Sequence, residues 1–433
     1  MHPRHFRPGE VIAAGLMVAA LALGGCGARR PTSPEGPEDP AGALTGAGAG
    51  ERRDLVEIFS WWAEAGESDA LQALVAVHAT RHPKARIFNS AAASRDKGRD
   101  QLEDLLLGNE PPDIFQEYVH ALRAANSQSA IRWTPLDDLV DQVGLRQVVF
   151  PEILADVTRD GHVFVMPVNV HSENTLLYNR RLFEKYHLAV PRTLDELLAT
   201  CRRFKAAGVI PLVTSDQGWI LRIMFNSLAV ARLGALPYRA YFSGERPLDV
   251  AQLRGVIDLF AEVRENYVNP DAGDARFDWI NAAQALLNGD AAMFLHGDWA
   301  KGYVAALGGS SETDFGVVAA PGTSDMFLYG VDGFALASGA RNPRAAREFL
   351  ATVASPEGQV AFNRLKGSSP IRPDVQRDQL DEIGRETLAD LEHARVRMMV
   401  RSRSVWEEAL AAFAHDHDRQ KLLRAFVDAP PRP

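Results

Sequence analysis

Residues 55–67 read LVEIFSWWAEAGE, an apolar run that ends in two adjacent tryptophans. The run is rich in β-branched and aromatic residues, which is typical of a buried strand. The chain has only seven tryptophans, yet Trp61 and Trp62 stand together where the strand ends, five residues before Glu67. Ligands of open α/β sheets bind at the carboxyl ends of strands. The stretch therefore predicts both the first strand of a sheet and one wall of a binding site.

Further strand patterns alternate with helical ones along the chain. After the first strand come a predicted helix over about 68–81, the run ARIFNS, a helix near 100–107 and the run DIFQ. Thr134 is the predicted N-cap of a later helix, and Thr193 that of TLDELLATCRRFKAAG. Such alternation predicts an α/β fold with mostly parallel sheets, and 46% hydrophobic residues can fill two cores.

The N-terminal segment predicts export and lipid anchoring. A basic start, MHPRHFRPGE, precedes 15 uncharged residues that end at Gly25. Residues 1–25 are therefore expected to be a signal peptide, since the apolar stretch is shorter than the ~20 residues that a spanning helix needs. LGGC, ending at Cys26, resembles a lipobox; the alternative is a plain secreted protein. Residues 26–54, rich in Gly, Pro and Ala, are expected to be a disordered tether.

Composition narrows the possible partners. The net charge of −9 argues against nucleic acid. Cys201, the only cysteine besides Cys26, is expected to be a buried thiol on a helix. The run AHDHD at 414–418 is interpreted as a solvated helix end rather than a metal site, because its alternation does not place the ligands on one helix face. Neither a metal nor a cofactor is predicted.

Six motifs follow one another along the chain. They are WW with Glu67, GNEPPDIFQ at 108–116, MPVNVHSENTLLYNRRLFEKYHL from 166, VPRTLDELL, GDAAMFLHGDWAKG from 289 and FNRLKGSSPIR from 362. In this order they resemble an extracellular solute-binding protein (family 1) of an ABC sugar importer. The WW pair, PVNVHS and GDWAKG are most similar to the glucose-type monosaccharide-binding lipoproteins.

The resemblance implies a two-lobe periplasmic-binding-protein fold of type II-like architecture. Each lobe would be a mostly parallel sheet flanked by helices, with the ligand cleft between the lobes. Crossings between the lobes are expected at Pro167–Asn169 and Tyr329–Val331. The implied division is residues 55–167 plus 335–370 for lobe 1 and residues 168–334 plus 371–433 for lobe 2.

A sugar needs a flat aromatic platform for its C–H face and hydrogen-bond partners for its hydroxyls. Trp61 and Trp62 are candidates for the platform, with core packing as the alternative. Glu67 is a candidate acceptor, or else a helix N-terminal acid stabilised by the helix dipole. Gln116 ends the third predicted strand and is either a donor and acceptor to the ligand or a surface residue. His171 follows a crossing strand and is a candidate contact or a structural residue.

Other candidates come from the crossing strand or from the resemblance. Asn169 would reach the cleft from the crossing strand. The resemblance implies that Trp299 is the second aromatic wall and that Asp332 and Lys366 place a carboxylate and an ammonium against hydroxyls. Asp298 is the alternative carboxylate.

One departure leaves the sugar open. Related glucose binders place a histidine late in the chain, where this sequence has VRMMVRSRSVW with Arg401, Arg403 and Trp406. A different monosaccharide, a uronic acid attracted by arginine, or a disaccharide therefore remains open beside glucose.

The favoured function is a monomeric, non-catalytic lipoprotein that captures a sugar, such as glucose, and delivers it to an ABC permease. The rival is a lipoprotein glycoside hydrolase with Glu67 and Asp332 as the carboxylate pair, one of which would need a raised pKa. A third possibility is a structural lipoprotein of the envelope, which does not explain the aromatic residues at predicted turns.

Overall fold

The computed structural model describes residues 54–92, 95–119, 132–401 and 403–431. The predicted signal peptide and Cys26 lie outside the described residues, so both stay predictions. No described helix is both long and apolar enough to cross a bilayer.

The strands fall where the sequence has its apolar runs. They are β1 (Leu55–Ser60), β2 (Arg86–Ala91), β3 (Ile114–Tyr118), β4 (Thr158–Arg159), β5 (His162–Val163), β6 (Val165–Ser172), β7 (Thr175–Asn179), β8 (Ile210–Leu212), β9 (Ala291–His296), β10 (Phe315–Ala319), β11 (Met326–Leu336) and β12 (Val396–Met399).

The helices include those expected from the sequence. They are α1 (Glu67–Arg81), α2 (Arg95–Leu107), α3 (Asp137–Gln142), α4 (Leu145–Val148), α5 (Pro151–Asp156), α6 (Arg180–Lys185), α7 (Leu194–Ala206), α8 (Gly218–Leu233), α9 (Ala235–Phe242), α10 (Val250–Tyr267), α11 (Trp279–Asn288), α12 (Trp299–Ala306), α13 (Pro343–Ala354), α14 (Pro356–Lys366), α15 (Glu382–His393), α16 (Ser404–Asp416) and α17 (Arg419–Asp428).

Two helix N-caps predicted from the sequence can be compared with the structure. Thr193 caps α7 as predicted, because its hydroxyl accepts the backbone N–H of Glu196, whose carboxylate in turn accepts the N–H of Thr193. The predicted cap at Thr134 is wrong: α3 begins after Leu136, and the Thr134 hydroxyl donates to the carbonyl of Ala337 instead. The hydroxyl of Thr134 therefore has a long-range partner and does not cap a helix.

The two larger sheets have different strand directions. In the first, the order β12-β11-β3-β1-β2 is joined by β6 on β11, and β1 runs parallel to both β2 and β3. In the second, ordered β10-β7-β9-β8, β7 runs antiparallel to both neighbours. The expectation of a mostly parallel sheet is therefore wrong for the second sheet.

Three buried clusters form the cores. The first surrounds the first sheet, and the other two lie on opposite faces of the second. Alternation along β7 shows this, since Leu176 and Tyr178 belong to one cluster and Leu177 to the other. Cys201 is buried on α7 as predicted, and burial raises the pKa of its thiol to about 12. The first cluster also includes Leu388, which the predicted division assigned to lobe 2; the lobe division stays a prediction.

Two long strands of the first sheet are next in the chain to strands of the second sheet: β6 precedes β7, and β11 follows β10. β6 and β11 pair antiparallel, with Asn169 opposite Asp332 and Pro167 opposite Gly333. The register shifts there, so Val168 is an extra residue, as in a β-bulge, which bends a strand locally. The crossings between the lobes stay a prediction.

Candidate functional site

The two tryptophans after β1 have different surroundings. Trp62 is 1% exposed and packs against Phe334 and Phe362 in the first core. Trp61 stacks on Tyr118, with ring centroids 5.6 Å apart and an interplanar angle of 22°. The backbone N–H of Trp61 donates to Oε1 of Gln116 at 3.1 Å, which fixes the loop against β3. The loop is thus rigidly held between the core and the neighbouring strand.

Three of the predicted site residues carry buried polar atoms that find no hydrogen-bond partner among the described residues. These atoms are Nε1 of Trp61, Nε2 of Gln116 and Oδ1 of Asp332. A buried polar group without a partner costs about 1–3 kcal/mol. These unpartnered atoms are two donors and one acceptor.

Glu67 and Lys366 form an ion pair between two helix ends. Glu67 is the first residue of α1 and Lys366 the last of α14, and Lys366 Nζ donates to Glu67 Oε1 at 2.6 Å. Lys366 is 4% exposed, and its ammonium lies 6.0 Å from the centroid of the Trp62 ring. The pair joins two predicted site residues and places a cation against an aromatic face.

His171 lies between two aspartates. Its Nδ1 donates to Oδ1 of Asp298 at 2.5 Å, and its Nε2 is 3.2 Å from Oδ2 of Asp332. Burial by itself would lower the pKa of His171, but the two carboxylates outweigh that effect and raise it. Burial would likewise raise the pKa of Asp332, but the histidine holds it below its usual range. We call Asp298–His171–Asp332 the histidine triad.

Backbone and amide groups hold this triad in place. Asp298 Oδ2 accepts the backbone N–H of Ser172 at 2.8 Å. Asn169 Oδ1 accepts the backbone N–H of Asp332 at 3.1 Å, and its Nδ2 lies 2.9 Å from His171 Nε2. The side chain of Asn169 is fully buried. The structure therefore brings four of the candidates, counting Asp298, into one hydrogen-bonded network.

Trp299 belongs to a second aromatic group, at the start of α12. Its ring lies edge-on to His171, with centroids 5.1 Å apart, and 4.9 Å from the ring of His296. Trp219 and Trp279 also flank His296, whose two ring nitrogens are buried without a partner among the described residues. Burial lowers the pKa of His296 to about 3, so this imidazole is neutral. The group is an apolar support behind Trp299.

A cavity of about 70 Å³ lies among these groups. His171, Trp299, Tyr118 and Trp219 line it, as do Gly330 and Val331 of β11 and Met399 and Val400 at the end of β12. The other candidates are not among the residues that line it. The first and second clusters and the strands β6 and β11 all contribute to the lining.

The same cavity is lined by three charged residues that the sequence reasoning missed. Arg222 donates from Nη1 to Glu173 Oε2 at 2.7 Å and from Nε to Glu407 Oε1 at 2.9 Å. Arg222 is buried, and the two carboxylates outweigh the effect of burial and raise its pKa. One feature of the sequence could have indicated Arg222: it follows Trp219 by three residues, so the two side chains lie on one face of a helix. We call Glu173–Arg222–Glu407 the arginine triad.

Arg403 and Trp406, near the end of the chain, contact the residues after the C-terminal helix and do not line the cavity. The guanidinium of Arg403 donates to the carbonyl of Ala429 at 2.8 Å, and Trp406 Nε1 donates to the same carbonyl at 3.0 Å. Trp406 also stacks on Phe426. These contacts fasten the chain end after α17.

The AHDHD run forms the end of α16 and the turn to α17, where His417 and Asp418 are the cap residues. Asp418 caps α17 by accepting the backbone N–H groups of Gln420 and Lys421, and Asp416 pairs with Lys421. Within the described part of the chain, no group of three or more His, Cys, Asp or Glu side chains is placed to hold a metal ion.

Two α/β lobes, joined by crossing strands and enclosing a polar and aromatic cleft, define the class of two-lobe binding proteins. A model of the family described as "Bacterial extracellular solute-binding protein" matches residues 90–360. The chain belongs to this family, and it is a binding protein rather than an enzyme.

Individual relatives agree with the assignment. The chain is 30% identical over 401 residues to an ABC transporter extracellular-binding protein of Pyrococcus horikoshii, covering 90% of this chain and 86% of the relative. It is 30% identical over 346 residues to a "Probable sugar-binding periplasmic protein" of Mesorhizobium japonicum, covering 78% and 81%. The solved structure of the bacterial solute receptor AcbH has the same fold, with a TM-score of 0.73, 18% identity and coverage of 86% and 96%.

Proposed function

We propose that this protein captures a sugar, in the first instance a monosaccharide such as glucose, in the interlobe cleft and delivers it to the membrane subunits of an ABC importer. Similarity to a sugar-binding periplasmic protein over most of both chains supports the ligand class. Trp61, Trp62, Glu67, Gln116, Asn169, His171, Trp299, Asp332 and Lys366 are the proposed ligand-binding residues.

The observation that carries the proposal is that the candidate residues include both buried polar atoms without hydrogen-bond partners and aromatic rings. Trp61 Nε1, Gln116 Nε2 and Asp332 Oδ1 are buried and lack partners among the described residues, while Trp299 lines the cavity. Hydroxyl groups are both donors and acceptors, and the C–H face of a pyranose packs on an indole ring. A neutral polyol ring therefore satisfies this cleft better than an apolar solute, which would leave these groups unpaired.

The hydrolase alternative finds no support. A glycosidase acid requires a carboxyl with a raised pKa. Asp332 has a lowered pKa, and Glu67 is paired with the Lys366 ammonium at 2.6 Å. These carboxylates act as charged hydrogen-bond acceptors, which suits release of an unaltered sugar.

A calorimetric panel of hexoses, pentoses and disaccharides tests the proposal. Glucose or another monosaccharide is expected to bind, and Trp299→Ala to weaken that binding at least about tenfold, or ~1.4 kcal/mol. Trp133→Phe is the control, since Trp133 belongs to the first core and does not line the cavity. Failure of every sugar to bind, or an unchanged affinity in Trp299→Ala, would refute the assigned ligand or site.

We also propose that the mature chain is a monomer, lipid-anchored through Cys26 on the outer side of the cytoplasmic membrane. Extracellular location follows the family, and the anchor rests on the lipobox sequence. The proposed lobe division, residues 55–167 plus 335–370 and residues 168–334 plus 371–433, makes β6 and β11 the crossing strands.

A further inference from the structure

Among the described residues, the charges of the two triads are unequal in number. In the histidine triad, one imidazole lies between two carboxylates. In the arginine triad, one guanidinium lies between two carboxylates. With His171 and Arg222 both protonated, each triad retains one negative charge.

The further cation that acts on His171 and Asp332 does not cancel this excess. Lys366 is close enough to act on both His171 and Asp332, but it is itself paired with Glu67. These eight side chains together carry a net charge of −2, and −3 if His171 is neutral. Their low exposure keeps solvent and salt from screening that charge fully.

Two carboxylates already share the guanidinium of Arg222. Recognition of a carboxylate by arginine commonly uses two parallel N–H donors. Here Nε is bonded to Glu407 and Nη1 to Glu173. A uronic acid that used the other N–H groups would be the third carboxylate around one guanidinium, and its negative charge would have no matching cation in the triad.

We propose that the cleft accepts neutral sugars and sugars carrying a protonated amine, and that it rejects the matching uronic acids and sugar phosphates. This inference rests on the proposed sugar-binding function and names its substrate class. Glu173 and Glu407 are the charge-selecting residues, and Arg222 positions them.

The test compares glucose, glucosamine and glucuronate, which differ at one position each, with the corresponding galactose series as a second set. Titration calorimetry is done on the mature protein at about pH 6.5, where a sugar amine is protonated. We expect the uronate to bind at least roughly tenfold more weakly than the neutral sugar. The amino sugar should bind within about threefold of the neutral sugar or more tightly, and only its affinity should fall as salt is raised.

A matched pair of variants isolates the charge. Glu407→Gln removes one carboxylate of the arginine triad, whereas Glu408→Gln makes the same change at the exposed neighbouring position of α16. The ratio of uronate to neutral-sugar affinity should rise about tenfold in Glu407→Gln and stay unchanged in Glu408→Gln. Glu173→Gln repeats the test on the other side of Arg222, and thermal melting of each variant verifies folding.

The outcomes separate the two proposals. Equal affinity for glucuronate and glucose would overturn the charge selection but not sugar binding. So would a ratio of uronate to neutral-sugar affinity that is the same in wild type, Glu407→Gln and Glu173→Gln. Absence of binding by every neutral and amino sugar would overturn the sugar-binding function itself.

Discussion

The ring of Trp299 lies over Gly297, so closely that a Cβ atom at position 297 would be 1.9 Å from Cζ3 of the indole. No side chain fits there unless Trp299 moves. Gly297→Ala is therefore expected to displace the ring that lines the cavity and to weaken sugar binding at least about tenfold, ~1.4 kcal/mol. Calorimetry measures the affinity, and near-ultraviolet circular dichroism reports the altered tryptophan environment.

Gly255→Ala is the control for this change. Gly255 lies within α10, where the nearest atom to an added Cβ is 3.7 Å away. Alanine should stabilise the helix by up to about 1 kcal/mol and leave sugar affinity unchanged. Equal affinities in the two alanine variants would show that Trp299 does not depend on Gly297.

A second prediction concerns stability in acid. The pKa of His296 is lowered to about 3 in the folded protein, whereas the unfolded chain takes up a proton near pH 6.5. The contribution of neutral His296 to the free energy of unfolding is therefore fully present above pH 6.5 and decreases as the pH falls toward 3. His78, whose pKa is lowered to about 4, acts in the same direction.

His296→Phe should remove part of this dependence. Its stability relative to wild type is expected to improve by about 2 kcal/mol between pH 8 and pH 5, because phenylalanine has no proton to exclude. Urea unfolding at the two pH values measures the difference, with exposed His415→Gln as the control. A constant difference between wild type and His296→Phe at both pH values would contradict the assignment of a neutral buried imidazole.

Replacing Glu67 should destabilise the folded protein more than replacing its ion-pair partner Lys366. Glu67→Gln leaves a buried ammonium without its counter-ion and is expected to destabilise the protein by about 3 kcal/mol. Lys366→Met leaves a carboxylate that is 19% exposed and should cost less. Chemical denaturation checks the order.

An exposed pair between the same two helices provides the control. Arg81 of α1 and Glu357 of α14 are 2.7 Å apart, but their side chains are 40% and 62% exposed. Glu357→Gln should therefore cost less than about 1 kcal/mol. If Glu67→Gln costs no more than Glu357→Gln, burial does not strengthen the Glu67–Lys366 pair.

Sugar binding is expected to compact the protein. A ligand that touches both lobes favours the closed arrangement by its difference in affinity, and the crossing strands, with the bulge at Val168, are the expected hinge. Small-angle scattering should show a smaller radius of gyration with the sugar than without it. The weakened Trp299→Ala variant should need at least about tenfold more sugar for the same change. An unchanged radius in wild type at saturating sugar would exclude hinge closure.

Lipid anchoring is predicted from the LGGC sequence. Wild type expressed in bacteria should partition into detergent and carry a lipid mass on its first residue, whereas Cys26→Ser should stay soluble or uncleaved. Cys201→Ser is the control, since that buried thiol lies on α7 and should not affect partitioning. Release of wild type with a free Cys26 thiol would refute the anchor.

Local patterns determined the elements well because they depend on neighbouring residues. The N-cap at Thr193 and the helix predicted over about 68–81 appear as expected. Apolar period and cap chemistry act within a few residues, so a sequence shows them directly. Thr134 is the exception, because its hydroxyl is bonded to a carbonyl 203 residues away.

The sequence by itself determined the alternating elements and the residue types suited to a sugar. Only the tertiary structure decided which of them meet: Lys366 reaches Glu67 across 299 positions, and Arg222 holds Glu173 and Glu407 without any local motif. The physical reason is range. Helix and strand preferences arise between neighbours, whereas the charge of a cleft is the sum of groups that only the folded chain brings together.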